Sequence, residues 1–137
     1  MAVVEELLRS EADGTISFGN HKLAKKAKLE DFQHAGDLLK VKTYNEITKL
    51  EKNGMFLYES VPGTSVTNFK EQENGVEFVV EGDANAQITV GLVDDTAYEE
   101  FVDGKSVGDM KTGLGGKLSL SVELEVAGEV AVKVVQL

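Results

Sequence analysis

The 137-residue chain has no cysteine, no tryptophan and only one proline. Without cysteine it can form no disulfide bond, no thiolate metal site and no cysteine nucleophile. It also lacks any apolar run near the ~20 residues that a transmembrane helix needs. Its N-terminal stretch places Glu5 and Glu6 among the apolar residues and has no basic region, so we expect no signal peptide. We therefore predict a cytoplasmic protein that does not bind membranes.

Basic residues are scarce, because 14 lysines and arginines face 24 acidic residues and give a net charge of −10. Residues 69–137 carry five basic and fourteen acidic side chains, whereas residues 1–68 carry nine and ten. Nucleic-acid-binding surfaces are basic, since neutralising phosphates supplies much of their affinity. The main basic cluster, Lys22–Lys28, is better explained as a solvated loop or an edge strand that lysines protect from aggregation. We predict no nucleic-acid partner.

Four two-residue turn signals separate runs that have the composition of β-strands. Type I′ and II′ hairpin turns need positive φ angles, which glycine and asparagine tolerate. In a two-residue turn the flanking residues face each other, so the pattern predicts that Phe69 lies opposite Val80 and Ile16 opposite Leu23. The four dipeptides are Gly19-Asn20, Asn53-Gly54, Asn74-Gly75 and Asp103-Gly104.

The second half of the chain has the period-two alternation of half-buried strands. Leucine and valine alternate with serine and glutamate throughout Lys117–Val126, which predicts one long strand. Six short strands with one apolar side each are typical of an antiparallel β-sandwich. The predicted strands are Val76–Val80, Ala86–Val93, Tyr98–Val102, Lys105–Met110, Lys117–Val126 and Val130–Val135.

The first half is less regular. Apolar residues between Val3 and Leu8 fit one or two turns of helix, and four strands follow the first turn signal. The strand that starts at Met55 is apolar on both faces from residue 55 to residue 58, which indicates that it is covered by a second layer or by a partner. The predicted strands are Lys28–Phe32, Leu38–Tyr44, Glu46–Lys52 and Met55–Val61.

These patterns predict an all-β protein with two packed parts. The first part, residues 1–66, is a hairpin-rich subdomain, and the second, residues 67–137, is a β-sandwich of the immunoglobulin-like kind. Pro62 marks the junction between them, because proline favours turns and is excluded from central strands.

No motif for catalysis, cofactor binding or metal binding is complete. The glycine-rich segment Gly113–Lys117 lacks the first glycine and the final hydroxyl of a phosphate-binding loop. The acidic loops between Glu81 and Asp109 do not follow the EF-hand calcium pattern. His21 and His34 have no metal-ligand spacing, and His21 is expected at an exposed hairpin tip. We predict no enzyme activity, no cofactor and no metal.

Two binding functions stay open. The first is a non-catalytic assembly module that self-associates through its first half, most simply as a dimer. The second is a carbohydrate-binding module that stacks Tyr44 and Tyr58 on sugar rings, because aromatic faces pair with apolar surfaces. The residues predicted to make the protein contact are Met55, Phe56, Leu57 and Tyr58, with Val4, Leu7 and Leu8 as a second patch.

Two resemblances extend these predictions. The stretch from Ser10 to Gly63, together with KTGLGGKLSLSVEL at Lys111–Leu124, resembles a family of small uncharacterised clostridial proteins, some of which carry the label endosialin-like. That resemblance implies no catalytic or binding residue. Tyr98–Val107 followed by Gly116–Leu124 is similar to the immunoglobulin-like sandwiches appended to bacterial extracellular enzymes, which implies a fold and not a function.

Overall fold

The computed structural model describes residues 3–137, and nearly all of its regular structure is β-strand. The one helix, α1, is a single turn at Leu124–Ala127. No helix within residues 3–137 has the length and apolar character needed to cross a membrane. The strands in chain order are β1 (Leu8–Ser10), β2 (Ile16–Phe18), β3 (Ala27–His34), β4 (Asp37–Thr43), β5 (Thr48–Lys52), β6 (Met55–Val61), β7 (Ser65–Gln72), β8 (Gly75–Glu81), β9 (Ala86–Gly91), β10 (Ala97–Val102), β11 (Lys105–Lys111), β12 (Lys117–Val122) and β13 (Glu129–Gln136).

Two antiparallel sheets form a β-sandwich, which confirms the predicted all-β class. Seven strands make one sheet in the order β1-β2-β7-β8-β13-β10-β11, and six make the other in the order β12-β9-β6-β5-β4-β3. Strands β1 and β3, at one edge of each sheet, contact each other. We call the outward faces of the two sheets the seven-strand face and the six-strand face.

The core lies between the sheets and contains a cluster of aromatic rings. Tyr58, from the six-stranded sheet, contacts three phenylalanines of the other sheet at centroid distances of 5.2 to 6.2 Å. These contacts are edge-to-face, an arrangement that favours aromatic pairs beyond the area they bury. The three partners are Phe18, Phe69 and Phe78.

The predicted division into residues 1–66 and 67–137 is wrong. That boundary falls inside β7, and both sheets combine strands from both halves. In the six-stranded sheet β9 pairs with β6, and in the seven-stranded sheet β7 pairs with β2. A turn dipeptide shows where neighbouring strands reverse, but it gives no information on pairs that are distant in the sequence.

Two of the four predicted hairpins are confirmed. Asn53-Gly54 joins β5 to β6, where Lys52 pairs with Met55, and Asp103-Gly104 joins β10 to β11. At both dipeptides the two residues have positive φ angles of 51° to 82°. These are the angles that a type I′ turn requires.

The other two hairpins differ from the prediction. After Gly19-Asn20 the chain leaves the seven-stranded sheet and crosses to β3, so Ile16 pairs with Phe69 and not with Leu23. The β7–β8 hairpin exists, but Gln72 pairs with Gly75, so its turn lies one residue earlier than Asn74-Gly75. A bulge at Asn68 then shifts the register further, and Val80 pairs with Val66 in place of Phe69.

Two local predictions are also wrong. The N-terminal helix is replaced by a tight turn that Leu7 closes by donating its N–H to the Val4 carbonyl at 2.9 Å, and β1 follows directly. Leu7 has a φ of 73°, outside the right-handed helical region. The strand predicted at Lys117–Val126 ends at Val122, and α1 turns Leu124 into the core.

Candidate ligand-binding trough

A large, open concavity lies on the seven-strand face. It has a volume of about 780 Å³, within the roughly 300–1,000 Å³ typical of small-ligand sites. We call it the trough. Its central lining consists of Lys70, Glu77, Val79, Phe101, Lys133 and Val135.

Strand pairing places four of these side chains in one row across the sheet. Lys70 of β7 lies opposite Glu77 of β8, Glu77 lies opposite Lys133 of β13, and Lys133 lies opposite Phe101 of β10. Their outward direction follows from alternation, because buried Phe78 follows Glu77 and buried Val132 precedes Lys133. The row therefore presents positive, negative and positive charges that end at an aromatic ring.

Bulges flank the trough on both sides and account for its curvature. The β7–β8 ladder shifts register between Thr67 and Lys70, and the β10–β11 ladder shifts between Glu100 and Phe101. A bulge inserts an extra residue, bends the strand and increases its twist. Because the two bulges lie on either side of β13, they curve the sheet around that strand.

The lysines of the trough form no salt bridge within the described residues. Within residues 3–137, neither Lys70 nor Lys133 has an ion-pair partner, and Glu77 accepts a single hydrogen bond, from the Gln72 amide at 3.1 Å. At the trough rim Thr15 donates two hydrogen bonds to Asp13. These hydrogen bonds lower the pKa of the Asp13 carboxyl. The rim therefore carries a fixed negative charge.

The predicted contact strand does not form a single patch. Met55 is exposed, but Leu57 is buried and Tyr58 is fully buried, so Tyr58 is not a surface contact or a sugar-stacking face. A bulge explains why this strand is apolar on both sides. Because the β5–β6 ladder skips Leu57 between the Glu51–Phe56 and Leu50–Tyr58 pairs, Leu57 and Tyr58 both turn inward.

The remaining outward aromatic of β6 is partly covered. The Lys117 ammonium nitrogen lies 4.6 Å above the centre of the Phe56 ring, a favourable cation–π distance. The ring also packs against Gly91, where a Cβ atom would lie 3.3 Å from it. Phe56 is therefore half-buried on the six-strand face, far from the row of the trough.

The other predicted contact residues are also dispersed. Val4 and Leu8 are buried in the core, which corrects their prediction as a surface patch, and Leu7 is half-buried beside them. Tyr44 is half-buried and its hydroxyl donates to Glu46 at 3.4 Å. The structure thus brings none of these four residues to the trough.

The predicted exposure of His21 is wrong, because this histidine is only 4% exposed. Its Nδ1 lies 2.7 Å from Ser65 Oγ, and its Nε2 lies 3.7 Å from an Asp83 carboxylate oxygen. Burial lowers the pKa of His21. The order Ser65–His21–Asp83 resembles a nucleophile, base and acid, but Ser65 is fully buried and lines none of the cavities found among residues 3–137. We interpret the contact as a structural link.

The second histidine joins the two sheet edges. His34 Nε2 lies 3.1 Å from the Gly14 carbonyl, which can only accept, so Nε2 carries the proton and Nδ1 accepts from the Ser10 hydroxyl at 2.8 Å. Ser10 belongs to β1 and His34 to β3, the adjacent edges of the sandwich. Both ring nitrogens are therefore engaged in holding the sheets together.

Phe101 is the trough residue whose outward direction can be inferred from the sequence. In Tyr98–Val102 the two aromatic residues are three positions apart, so in a strand they must point to opposite faces. One of them therefore faces away from the core. No such signal marks Lys70, Glu77 or Lys133, because outward charges are ordinary on a solvated face.

No group of three or more histidine, aspartate or glutamate side chains in residues 3–137 is arranged to hold a metal ion. Sequence and structure comparisons give no relative for this chain: no protein-family model, no curated protein and no solved structure matches it.

Proposed function

We propose that this chain is a non-catalytic binding module that holds a carbohydrate in the trough. One observation carries the proposal. The outward ring of Phe101 lies next to the charged side chains of the row, and Lys70 and Lys133 in that row have no ion-pair partner among residues 3–137. This row lies in a concavity of about 780 Å³. Carbohydrate binding was one of the two functions predicted from the sequence, but Phe101 replaces Tyr58 as the ring that stacks on the sugar.

The chemistry of the trough suits a sugar. Aromatic ring faces pack against the apolar C–H face of a pyranose, and Phe101, Val79 and Val135 supply apolar area. Sugar hydroxyl groups both donate and accept hydrogen bonds. The trough offers donors from Lys70 and Lys133 and acceptors from Glu77.

The placement of the serine–histidine contacts supports a non-catalytic role. In the described chain, the serine–histidine contacts are Ser65–His21 and Ser10–His34, and none of these four residues lines the trough. The binding surface and the only such contacts are therefore separate.

Phe101→Ala is the direct test. We expect binding of oligosaccharides, chosen by a glycan array and measured by titration calorimetry, to weaken at least about tenfold, since losing one stacked ring removes about 1.4 kcal/mol or more. The matched control is Phe56→Ala, which removes a half-buried aromatic ring from the six-strand face. Equal affinity in the two variants, or no binding to any array glycan, would contradict the proposal.

A further inference from the structure

Three lysines form a continuous row on the six-strand face. Lys28 of β3 lies opposite Lys42 of β4, and Lys42 lies opposite Lys49 of β5. Neighbouring strands are about 4.8 Å apart, so this lysine row spans about 10 Å. It borders a depression of about 150 Å³ that Lys40 and Glu51 also line.

Lys28 and Lys42 have no acidic residue opposite them in the sheet, whereas Glu59 of β6 lies opposite Lys49. Like charges placed directly opposite each other in a sheet destabilise it. Protection of a sheet edge explains lysine on β3, but β4 and β5 are interior strands. Among residues 3–137, Lys28 and Lys42 have no ion-pair partner, and Lys49 reaches Glu51 only at 3.7 Å.

The same molecule also carries a pair of negatively charged side chains on its other outward face. On the seven-strand face Glu99 of β10 lies directly opposite Asp109 of β11, and neither carboxylate has an ion-pair partner in the described chain. We call these residues the acidic pair. The lysine row lies toward the β3 edge of the sandwich and the acidic pair at the β11 edge, so one chain cannot bring them together.

We infer that a second copy of this chain places its acidic pair against the lysine row. Each feature costs stability alone, and contact between copies neutralises both. The two features lie on opposite faces of the sandwich, so a single two-fold interface cannot contain both. The contact is therefore head-to-tail and builds a ring or a filament. Glu99 also lines the trough, so the contact between copies adjoins that site.

Charge exchange tests the contact better than added salt does. Each copy carries −10, so salt screens the repulsion between whole molecules as well as the local attraction. In one variant Lys42→Glu and Lys49→Glu reverse the lysine row, and in the other Glu99→Lys and Asp109→Lys reverse the acidic pair. The control, Lys25→Glu with Lys26→Glu, makes the same charge change at exposed positions in the loop before β3.

Light scattering coupled to size exclusion, across a concentration series, gives the result. The wild type and the control are expected above the 14.8 kDa monomer mass, and each reversed variant alone at that mass. Mixing the two reversed variants restores the larger species, because each then meets a complementary surface. In a mixture of the control with the acidic-pair variant, the variant's lysine row still binds the control's acidic pair. Its own lysines at 99 and 109 meet only unchanged lysine rows, so the variant ends an assembly and gives smaller species than the control alone. A monomeric wild type, or a mixture that stays monomeric, would overturn the inference.

Discussion

Replacing Tyr58 with alanine is expected to lower the free energy of unfolding by about 3–5 kcal/mol, the usual cost of removing a large buried aromatic ring. The ring is fully buried and contacts Phe18, Phe69 and Phe78 across the two sheets. Its loss leaves a cavity at the centre of the sandwich that a close-packed core cannot fill by local movement. Chemical denaturation followed by circular dichroism measures the change.

The hydroxyl of Tyr58 makes a separate and smaller contribution. It hydrogen-bonds Thr64 Oγ1 at 2.7 Å, and Thr64 Oγ1 also contacts Ser60 Oγ at 2.7 Å. Tyr58→Phe keeps the ring and removes only this bond, so we expect a loss of about 0.5–1.5 kcal/mol. The prediction fails if alanine costs no more than phenylalanine at this position, since the ring contacts would then contribute nothing.

Tyr58 also shows where inference from the sequence reaches its limit. The apolar residues of β6 predict a strand that is apolar on both faces and is covered by a second layer or by a partner, because a strand without a bulge would turn Leu57 and Tyr58 to opposite sides. The bulge at Leu57 places both side chains inward. Bulges depend on pairing with the neighbouring strand, and no local pattern in Met55–Val61 signals one. The same limit explains the register error at Asn68 in β7.

The parts that the sequence did predict are those that depend on neighbouring residues alone. Asn53-Gly54 and Asp103-Gly104 reverse the chain because both residues of each turn need positive φ angles, which is a local property. Period-two alternation likewise located the strands of the second half. Strand order is different, because β13 enters between β8 and β10 through contacts distant in sequence.

That strand order also hid the candidate site. The trough row joins Lys70, Glu77, Lys133 and Phe101, which lie in four strands. The β7–β8 hairpin pairs the first two, and Lys133 and Phe101 join them only because β13 lies between β8 and β10. The lysine row does not depend on that strand order, because β3, β4 and β5 are consecutive. Its register depends on the β3–β4 hairpin at Ala35-Gly36, which was not among the predicted turns.

Glu100 provides the second large effect, and here the expected change is a gain in stability. This glutamate is only 6% exposed, and its Oε2 has no hydrogen-bond partner in the described chain. Burial raises the pKa of its carboxyl above the ordinary value. The ionised form is therefore the one that folding disfavours, and a buried charge without a partner costs more than a neutral group of the same shape.

The sign of the pH dependence follows from the two protonation states. Because the pKa is higher in the folded than in the unfolded protein, the folded state binds more protons between these two values. Stability therefore falls as the pH rises through that window. Removing the titrating group removes this loss, so the advantage of a neutral side chain grows with pH.

Glu100→Gln is thus expected to raise the free energy of unfolding by about 1–3 kcal/mol near neutral and alkaline pH, the penalty of an unsatisfied buried group, and by little in acid. Denaturation at a series of pH values measures the difference. Glu123→Gln is the control, because it removes the same charge from an exposed position before α1. A gain for Glu100→Gln that is independent of pH, or equal to that of the control, would show that reduced net charge, and not burial of Glu100, sets the effect.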